Sequence, residues 1–357
     1  MGEVGMSTMN VSTIALKDVK LSEDIFIDVR SPAEFAEYHL PQAVNFPLFR
    51  NEERAEVGTM YKQHSREKAM ELGLTKFSMK LPSYYQQVKA LRAANPKKRL
   101  VVYCWRGGMR SKTIVSTMSL MGIDCYQLEG GIRSYRRHVQ AILAQAAKTP
   151  RPYIILSGHT GTMKTEILLQ LEKEGYPVLD FEGLAGHRGS IFGHIGMEPR
   201  SQKSFEARLS ERLIELKNAS YFIIESESKR IGRVILPDFI MDGKQQGIRI
   251  ELRYPFWKRV EHILATYKVE EHSTAIYEAA EKIQKRLSPL LQEEALRALE
   301  QKDFHRYVAL LLEQYYDKRY DHSFKQYKQC EQTIEIKSFE DGVKKVKETI
   351  DSLTSGL

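Results

Sequence analysis

The chain has 357 residues, 42% hydrophobic and 28% charged, with a formal net charge of +8 at neutral pH. That length exceeds one small core and fits two domains, and the balance excludes a disordered or fibrous protein. Cys104, Cys125 and Cys330 form no disulfide framework and no C-x-x-C motif, no apolar run approaches bilayer-spanning length, and MGEVGMSTMN lacks a signal-peptide pattern, so a reducing, cytoplasmic setting without a membrane is expected.

Strand and helix signals alternate from the start. DIFIDV reads as a short strand ending at Asp28, and SPAEFAEYHL opens with a Ser-Pro helix start. RLVVYC is a buried strand ending at Cys104, and SKTIVSTMSLMG is a helix stopped by Gly122. CYQLEGG is a strand and turn, and IRSYRRHVQAILAQAAK is a helix. Such alternation predicts a parallel α/β sheet. KTPRP breaks the pattern and places a domain boundary there, giving domains over 1–147 and 148–357. The second domain restarts with the strand YIILSG, the helix TEILLQLEKEG, and further strands in YPVLDFEG and SYFIIES. RIELRYPFWKRVEHILATY reads as the start of a long helical stretch, and helical periodicity from Thr274 to Tyr316 predicts a helical subdomain over about 258–330. TIEIKSFEDGVKKVKETIDSL closes the chain as a strand and a helix.

The charge is uneven. Residues 1–148 hold 22 Lys and Arg against 14 Asp and Glu, and residues 92–148 hold 11 against two, Asp124 and Glu129. A solvated basic face is the ordinary reading of such a run. Around a cysteine it also fits an anionic partner, a phosphorylated donor or a nucleic acid.

Cys104 follows a strand and precedes a helix that begins near Ser111, with WRGGM between them. Gly107 and Gly108 allow the backbone to curl so that N–H groups point inward, the helix N-terminus adds positive potential, and Arg106 and Arg110 bring full charges. Together these lower a thiol pKa and cradle an anion. The spacing from Cys104 to Arg110 is C-x5-R, which is also that of cysteine-dependent phosphatases and suits a tetrahedral oxyanion. Tyr103 stands where many such phosphatases carry histidine.

GHTGTMKT, Gly158 to Thr165, is one residue from a phosphate-binding loop, with Met163 where the pattern has glycine. Strand, loop and Lys-Thr opening a helix form the required context. Loop N–H groups including those of Gly158, Thr160 and Gly161 would hold phosphate oxygens, Lys164 would reach a terminal phosphate, and Thr165 would ligate Mg²⁺. Methionine fits if its dihedrals are ordinary. A strand-to-helix turn without phosphate binding is the alternative. Asp180, Glu182, His187, Arg188 and Ser190 follow the second strand of this domain, at the end that faces the ligand crevice in open α/β sheets. Glu225 and Glu227 stand at a Walker-B-type position. Arg253, Trp257, Lys258 and Arg259 interleave cations with an aromatic, as in stacking on unpaired bases or in an ordinary amphipathic helix.

IDVRSPAEFAEYHLPQAVNFP, VVYCWRGGMRS and LEGGIRSYRR resemble a rhodanese-like domain. Joined to the loop at Gly158, LAGHRGS, SQKSFEARL and ESESKRIG, they resemble the tRNA 2-selenouridine synthase family over nearly the whole chain. The fold implied is an N-terminal rhodanese-like parallel-sheet domain and a C-terminal P-loop NTPase-like α/β domain with a helical subdomain. The activity implied is conversion of 2-thiouridine at the tRNA wobble position to 2-selenouridine through S-geranyl-2-thiouridine, using geranyl diphosphate and selenophosphate. The resemblance implies that Cys104 attacks selenium to give an S-selanylcysteine, within an anion loop of Arg106, Gly107, Gly108, Arg110 and Ser111. It implies that the Gly158 loop holds the prenyl diphosphate, with no tightly bound cofactor and with Mg²⁺ accompanying the diphosphate. The partners implied are thiolated tRNA, with Arg133, Arg136, Arg137, Arg253, Trp257, Lys258 and Arg259 as RNA contacts, and an enzyme supplying selenophosphate. Two other readings of the residues remain: a rhodanese-coupled ATP-dependent tRNA thiolase or kinase, and a non-catalytic RNA-binding module.

Overall fold

The computed structural model describes residues 11–324 and 332–355. Cys330 lies outside the described residues. The chain forms two compact units, Met1–Ala141 and Ile142–Leu357.

The first unit contains strands β1 (Thr13–Ile14), β2 (Ile25–Asp28), β3 (Val44–Asn45), β4 (Leu100–Tyr103) and β5 (Tyr126–Leu128). Its helices are α1 (Pro32–Glu37), α2 (Asn51–Gln63), α3 (Arg66–Ser78), α4 (Leu81–Ala94), α5 (Met109–Leu120) and α6 (Ile132–Lys148), the last running on into the second unit. The sheet order is β1-β5-β4-β2-β3, every pair parallel. β4 is central and wholly buried, as expected for a continuous apolar run covered on both faces. Ser31 caps α1 in a reciprocal capping box with Glu34. Beside it, Asp28 and Arg30 form a buried, bidentate ion pair. Helices α2 to α4 occupy 51–94, where the sequence reading names no element. In α3 the buried stripe Ala69, Gly73, Phe77 runs beside the exposed pair Met70 and Leu74, so two apolar faces blur the single stripe that periodicity detects.

The second unit contains β6 (Tyr153–Ser157), β7 (Val178–Leu179), β8 (Phe222–Glu225), β11 (Ile248–Arg253) and β12 (Gln332–Glu335) in the parallel order β12-β11-β6-β8-β7, plus an antiparallel ribbon of β9 (Arg230–Ile231) and β10 (Val234–Ile235). Helices α7 (Lys164–Lys173), α8 (Phe181–Ala185), α9 (Gln202–Glu215), α10 (Asp238–Gln246) and α16 (Phe339–Thr354) belong to this α/β part. Helices α11 (Phe256–Tyr267), α12 (Ser273–Gln284), α13 (Pro289–Glu300), α14 (Phe304–Leu311) and α15 (Asp317–Phe324) make the helical part, with a π-helical turn at Leu312–Tyr316. The expectation of a helix from Arg249 is corrected. Residues 248–253 are a strand paired with β6 and β12 on its two sides, and the chain becomes helical only after Pro255. Hydrogen-bonded pairing with a strand on each side overrides the helical tendency of RIELR. Among the described residues, no helix is long and apolar enough to cross a membrane.

Candidate functional site

Cys104 lies at the C-terminal end of β4, buried, with its Sγ 3.2 Å from Ser111 Oγ. The Gly108 N–H donates to the same sulfur at 3.3 Å. Gly107 takes a left-handed φ of 66°, and a Cβ there would meet the Leu128 carbonyl oxygen at 2.8 Å, so only glycine fits. Gly108 has an ordinary negative φ; it contributes its N–H, not left-handed freedom. Two residues that sequence reasoning missed hold this loop. Gln127 Nε2 donates to the carbonyls of Gly107 and Gly108 and to Ser111 Oγ at 2.8, 3.1 and 2.9 Å, leaving the Ser111 proton for the sulfur or for the Gly108 carbonyl. Glu34 of α1 accepts from Arg110 at 2.9 Å, which sets the arginine at the loop. Arg106 is exposed.

Burial pushes the Cys104 thiol up. Hydrogen bonds from the Ser111 side chain and backbone, the Arg110 charge and the Gly108 N–H outweigh it, and the net pKa lies below that of an ordinary thiol. Burial instead drives Cys125 up to about 11. In a Cys330→Ser background, iodoacetamide is therefore expected to modify Cys104 before Cys125 at neutral pH. The rate follows the thiolate fraction, so it climbs as pH rises through the lowered pKa and is level above it. Ser111→Ala removes a bond that favours the thiolate, so the midpoint moves up and the neutral-pH rate falls. An unmoved midpoint in a folded variant counts against this role of Ser111.

In the second unit the loop between β6 and α7 forms a ring around Lys164. Gly158 has φ 139°, and a Cβ there would meet the Leu252 carbonyl oxygen at 2.4 Å. Lys164 Nζ donates to the carbonyls of Gly158 and His159 at 2.9 and 3.2 Å. Tyr320 accepts from the Gly158 N–H, and His159 bonds Asp321 at 2.8 Å, so α15 braces the loop. Met163 does not have ordinary dihedrals: it sits at φ 59°, ψ 23°, the left-handed conformation for which the motif employs glycine. Its side chain is buried with Ile154, Leu156, Ile167 and Leu168 in the core, which offsets a backbone cost of roughly 1–2 kcal/mol. Met163→Gly is expected to destabilise the protein by about 1–3 kcal/mol, because the lost buried side chain costs about 2–5 kcal/mol and exceeds the strain relieved. Any affinity of the loop for a diphosphate should be unaltered, since the side chain occupies the core. Urea unfolding and calorimetric titration measure the two effects.

Glu182, buried after β7, and Glu225, buried at the end of β8, meet Glu227, with a ligand oxygen from each within 4.8 Å of the others. Thr165 Oγ1 donates to Glu182 at 3.3 Å. Burial and the charges of Glu225 and Glu227 push Glu182 far up, with Lys164 opposing. Burial also raises Glu225, whose Oε1 has no hydrogen-bond partner among the described residues. Hard oxygen donors beside a phosphate loop, one of them orphaned, fit Mg²⁺.

A profile described as "tRNA 2-selenouridine synthase AAA domain" matches residues 151–353, and a rhodanese-like domain profile matches 14–138. Similar proteins include the tRNA 2-selenouridine synthases of Pseudomonas fluorescens (strain Pf0-1), 35% identical over 73% of this chain and 71% of its own, and of Marinobacter nauticus, 33% identical over 87% and 90%. That of Shewanella woodyi is 31% identical over 90% of this chain and 94% of its own. The chain belongs to the tRNA 2-selenouridine synthase family. Its fold is that expected: an N-terminal rhodanese region and a C-terminal P-loop-like domain with helices, both on parallel sheets.

The LAGHRGS segment, residues 184–190, runs on from the end of α8. Asp180 caps α8 through the Gly183 N–H at 2.9 Å. His187 Nδ1 accepts from the Gly189 N–H, and burial, then His194 and Arg233, hold its pKa low. Arg188 donates to the Ile195 carbonyl and lies over the Tyr267 ring, and Ser190 is 3.5 Å from the Tyr267 hydroxyl. Arg188 and Ser190 thus hold the segment to Tyr267 at the end of α11. Of the expected RNA contacts, Arg133 and Arg137 are exposed and Arg136 half-buried on α6. Trp257 is exposed, Lys258 pairs with Glu261, and Arg253 pairs with Glu251 and Glu335. Arg259 is corrected. It is 4% exposed, bidentate to Asp317, and donates to the Thr160 carbonyl at 2.9 Å. It braces the phosphate loop from within and is out of reach of RNA.

Proposed function

We propose that this protein converts 2-thiouridine at the wobble position of tRNA to 2-selenouridine in two steps, through an S-prenyl intermediate, with geranyl diphosphate as prenyl donor and selenophosphate as selenium donor. Membership of the family supports the overall conversion. The observation that carries the prenyl step is a cavity with the loop residue Thr160 on one wall and apolar side chains on the others, among them Phe192, Ile263, Leu264, Ile276 and Leu311. Its volume is about 70 Å³, room for the first carbons of a chain, with further open space at its mouth. A nucleotide base calls for donors and acceptors; this lining fits a hydrocarbon attached to a diphosphate.

In the first step the allylic C–O bond breaks, its electron pair leaves with the diphosphate, and the thiouridine sulfur bonds to the allylic carbon. Loop N–H groups and Lys164 receive the developing charge. The rings of Tyr267 and Phe192 at the cavity suit a carbon that becomes cationic. Glu182, Glu225 and Glu227 would hold Mg²⁺, which neutralises diphosphate charge. In the second step selenium bonds to C2 of the base, the C2–S pair leaves as prenylthiolate and takes a proton, and water ends with phosphorus as phosphate. Selenium enters and stays at the selenide level. Cys104 Sγ attacking phosphorus satisfies that balance: the P–Se pair leaves with selenium as selenide, which goes on to C2, and water cleaves the S–P bond to phosphate and thiol. Attack on selenium instead requires phosphorus to leave as phosphite. The C-x5-R ring around a tetrahedral oxyanion therefore favours a phosphocysteine over the S-selanylcysteine implied by resemblance. Mass spectrometry of wobble nucleosides after incubation with thiolated tRNA and both donors tests the whole reading. Selenouridine formed at full rate without prenyl donor would sink the two-step route.

A further inference from the structure

Five large apolar side chains that are between 38% and 67% exposed, Tyr61, Met70, Leu74, Trp105 and Met109, line a single groove. Cys104 forms part of its wall, Phe49 and Phe77 line it further, and its volume is about 750 Å³. The helices α2 and α3 build one side and the start of α5 the other. Gly73 keeps the groove wide, since a Cβ there would meet the Phe49 ring at 3.2 Å. An apolar face of this kind on a soluble unit marks a binding site. It cannot serve the selenium donor, a small polyanion for which the charged loop suffices.

The edge of the groove is basic: Arg54, Lys62, Arg66, Arg106 and Arg110 line it, against Glu67 and Glu71. Of these, Arg110 and Arg54 share Glu34. An apolar trough with a cationic edge, meeting the Cys104 sulfur, matches a hydrocarbon carried on a polyanion. We infer that this groove is the second-step subsite for the prenyl chain of S-prenyl-2-thiouridine in tRNA, its cationic edge taking backbone phosphates. This rests on the S-prenyl route proposed above. The prenyl group thus acts as a recognition handle. It draws the modified base to Cys104, holds C2 beside the selenium, and leaves as the thiol. Unmodified thiouridine has nothing to place in the trough.

The test supplies the intermediate ready-made, so the donor loop is bypassed. Anticodon stem-loop RNAs carrying S-geranyl- or S-methyl-2-thiouridine are incubated with the full-length protein and selenophosphate, and initial rates of selenouridine formation are compared. The wild type should favour the geranyl RNA by about 10–100-fold in kcat/KM, since even one methylene in an apolar pocket can give such ratios. Met70→Ser combined with Leu74→Ser changes only exposed side chains, so the fold should persist by circular dichroism and thermal midpoint. The ratio should drop to within about threefold. Equal rates for the two RNAs in the wild type, or an unaltered ratio in the folded double variant, overturn the groove assignment. A dimer in sedimentation that dissociates in the double variant, with the ratio retained, would assign the face to a second copy instead. If neither S-alkyl RNA accepts selenium but plain thiouridine RNA does, the S-prenyl route itself fails, a result distinct from those.

Discussion

Cys104→Ser is expected to lower selenium transfer by about 10³-fold or more, in line with removal of a nucleophile in other covalent mechanisms. Serine keeps the size and fits the pocket beside Ser111, but a hydroxyl is not ionised where the thiol is held low by Ser111, Arg110 and the Gly108 N–H. The proposed prenyl step is assigned to the second unit and should proceed at the wild-type rate, so S-geranyl-2-thiouridine is expected to accumulate in the tRNA. Nucleoside mass spectrometry reads both species at once. Selenouridine at the wild-type rate would remove Cys104 from the chemistry and leave its loop as a binding site. With ³²P- and ⁷⁵Se-labelled selenophosphate, the wild-type protein should retain phosphorus after rapid acid quench. Selenium retained in its place would restore the S-selanylcysteine.

Lys164→Ala should have the complementary effect. Lys164 is the cation that the loop carbonyls of Gly158 and His159 hold in place, and the loss of one donor to a developing anion typically costs about 10²–10³ in rate. Prenyl transfer should fall by about that factor, while selenation of a ready-made S-geranyl RNA should be unchanged. The variant also lightens the positive charge near Glu182, Glu225 and Glu227, so folding is checked by thermal unfolding. Loss of both activities in a folded protein would show that the two steps share the loop.

Much of this architecture is legible locally. The buried strand before Cys104, the Ser31 cap, the left-handed glycine at Gly107 and the strand-loop-helix around Lys164 each depend on neighbours within a few residues. The combination of motifs in chain order also pointed to the family before any coordinates. Local reading failed where two influences competed. RIELR has helix-forming residues, yet strands on both sides claim it. Met163 breaks the loop pattern, yet the core pays for its backbone. Arg259 sits in a basic-aromatic run that looks like an RNA surface, yet Asp317, 58 residues away, takes it inside.

The amino-acid sequence by itself determined the two parallel-sheet units, the placement of Cys104 between strand and helix, and the P-loop-like turn, because periodicity, caps and glycine dihedrals are short-range properties of the chain. Tertiary structure decided the rest. Gln127 and Glu34 hold the Cys104 loop from 16 and 76 residues away, and Tyr320 reaches Gly158 across 162. Three carboxylates converge on one point, and five exposed apolar side chains from separate segments share one groove with the thiol. Each of these juxtapositions is made by closing long loops in the chain, and such contacts leave no spacing for a linear pattern to record.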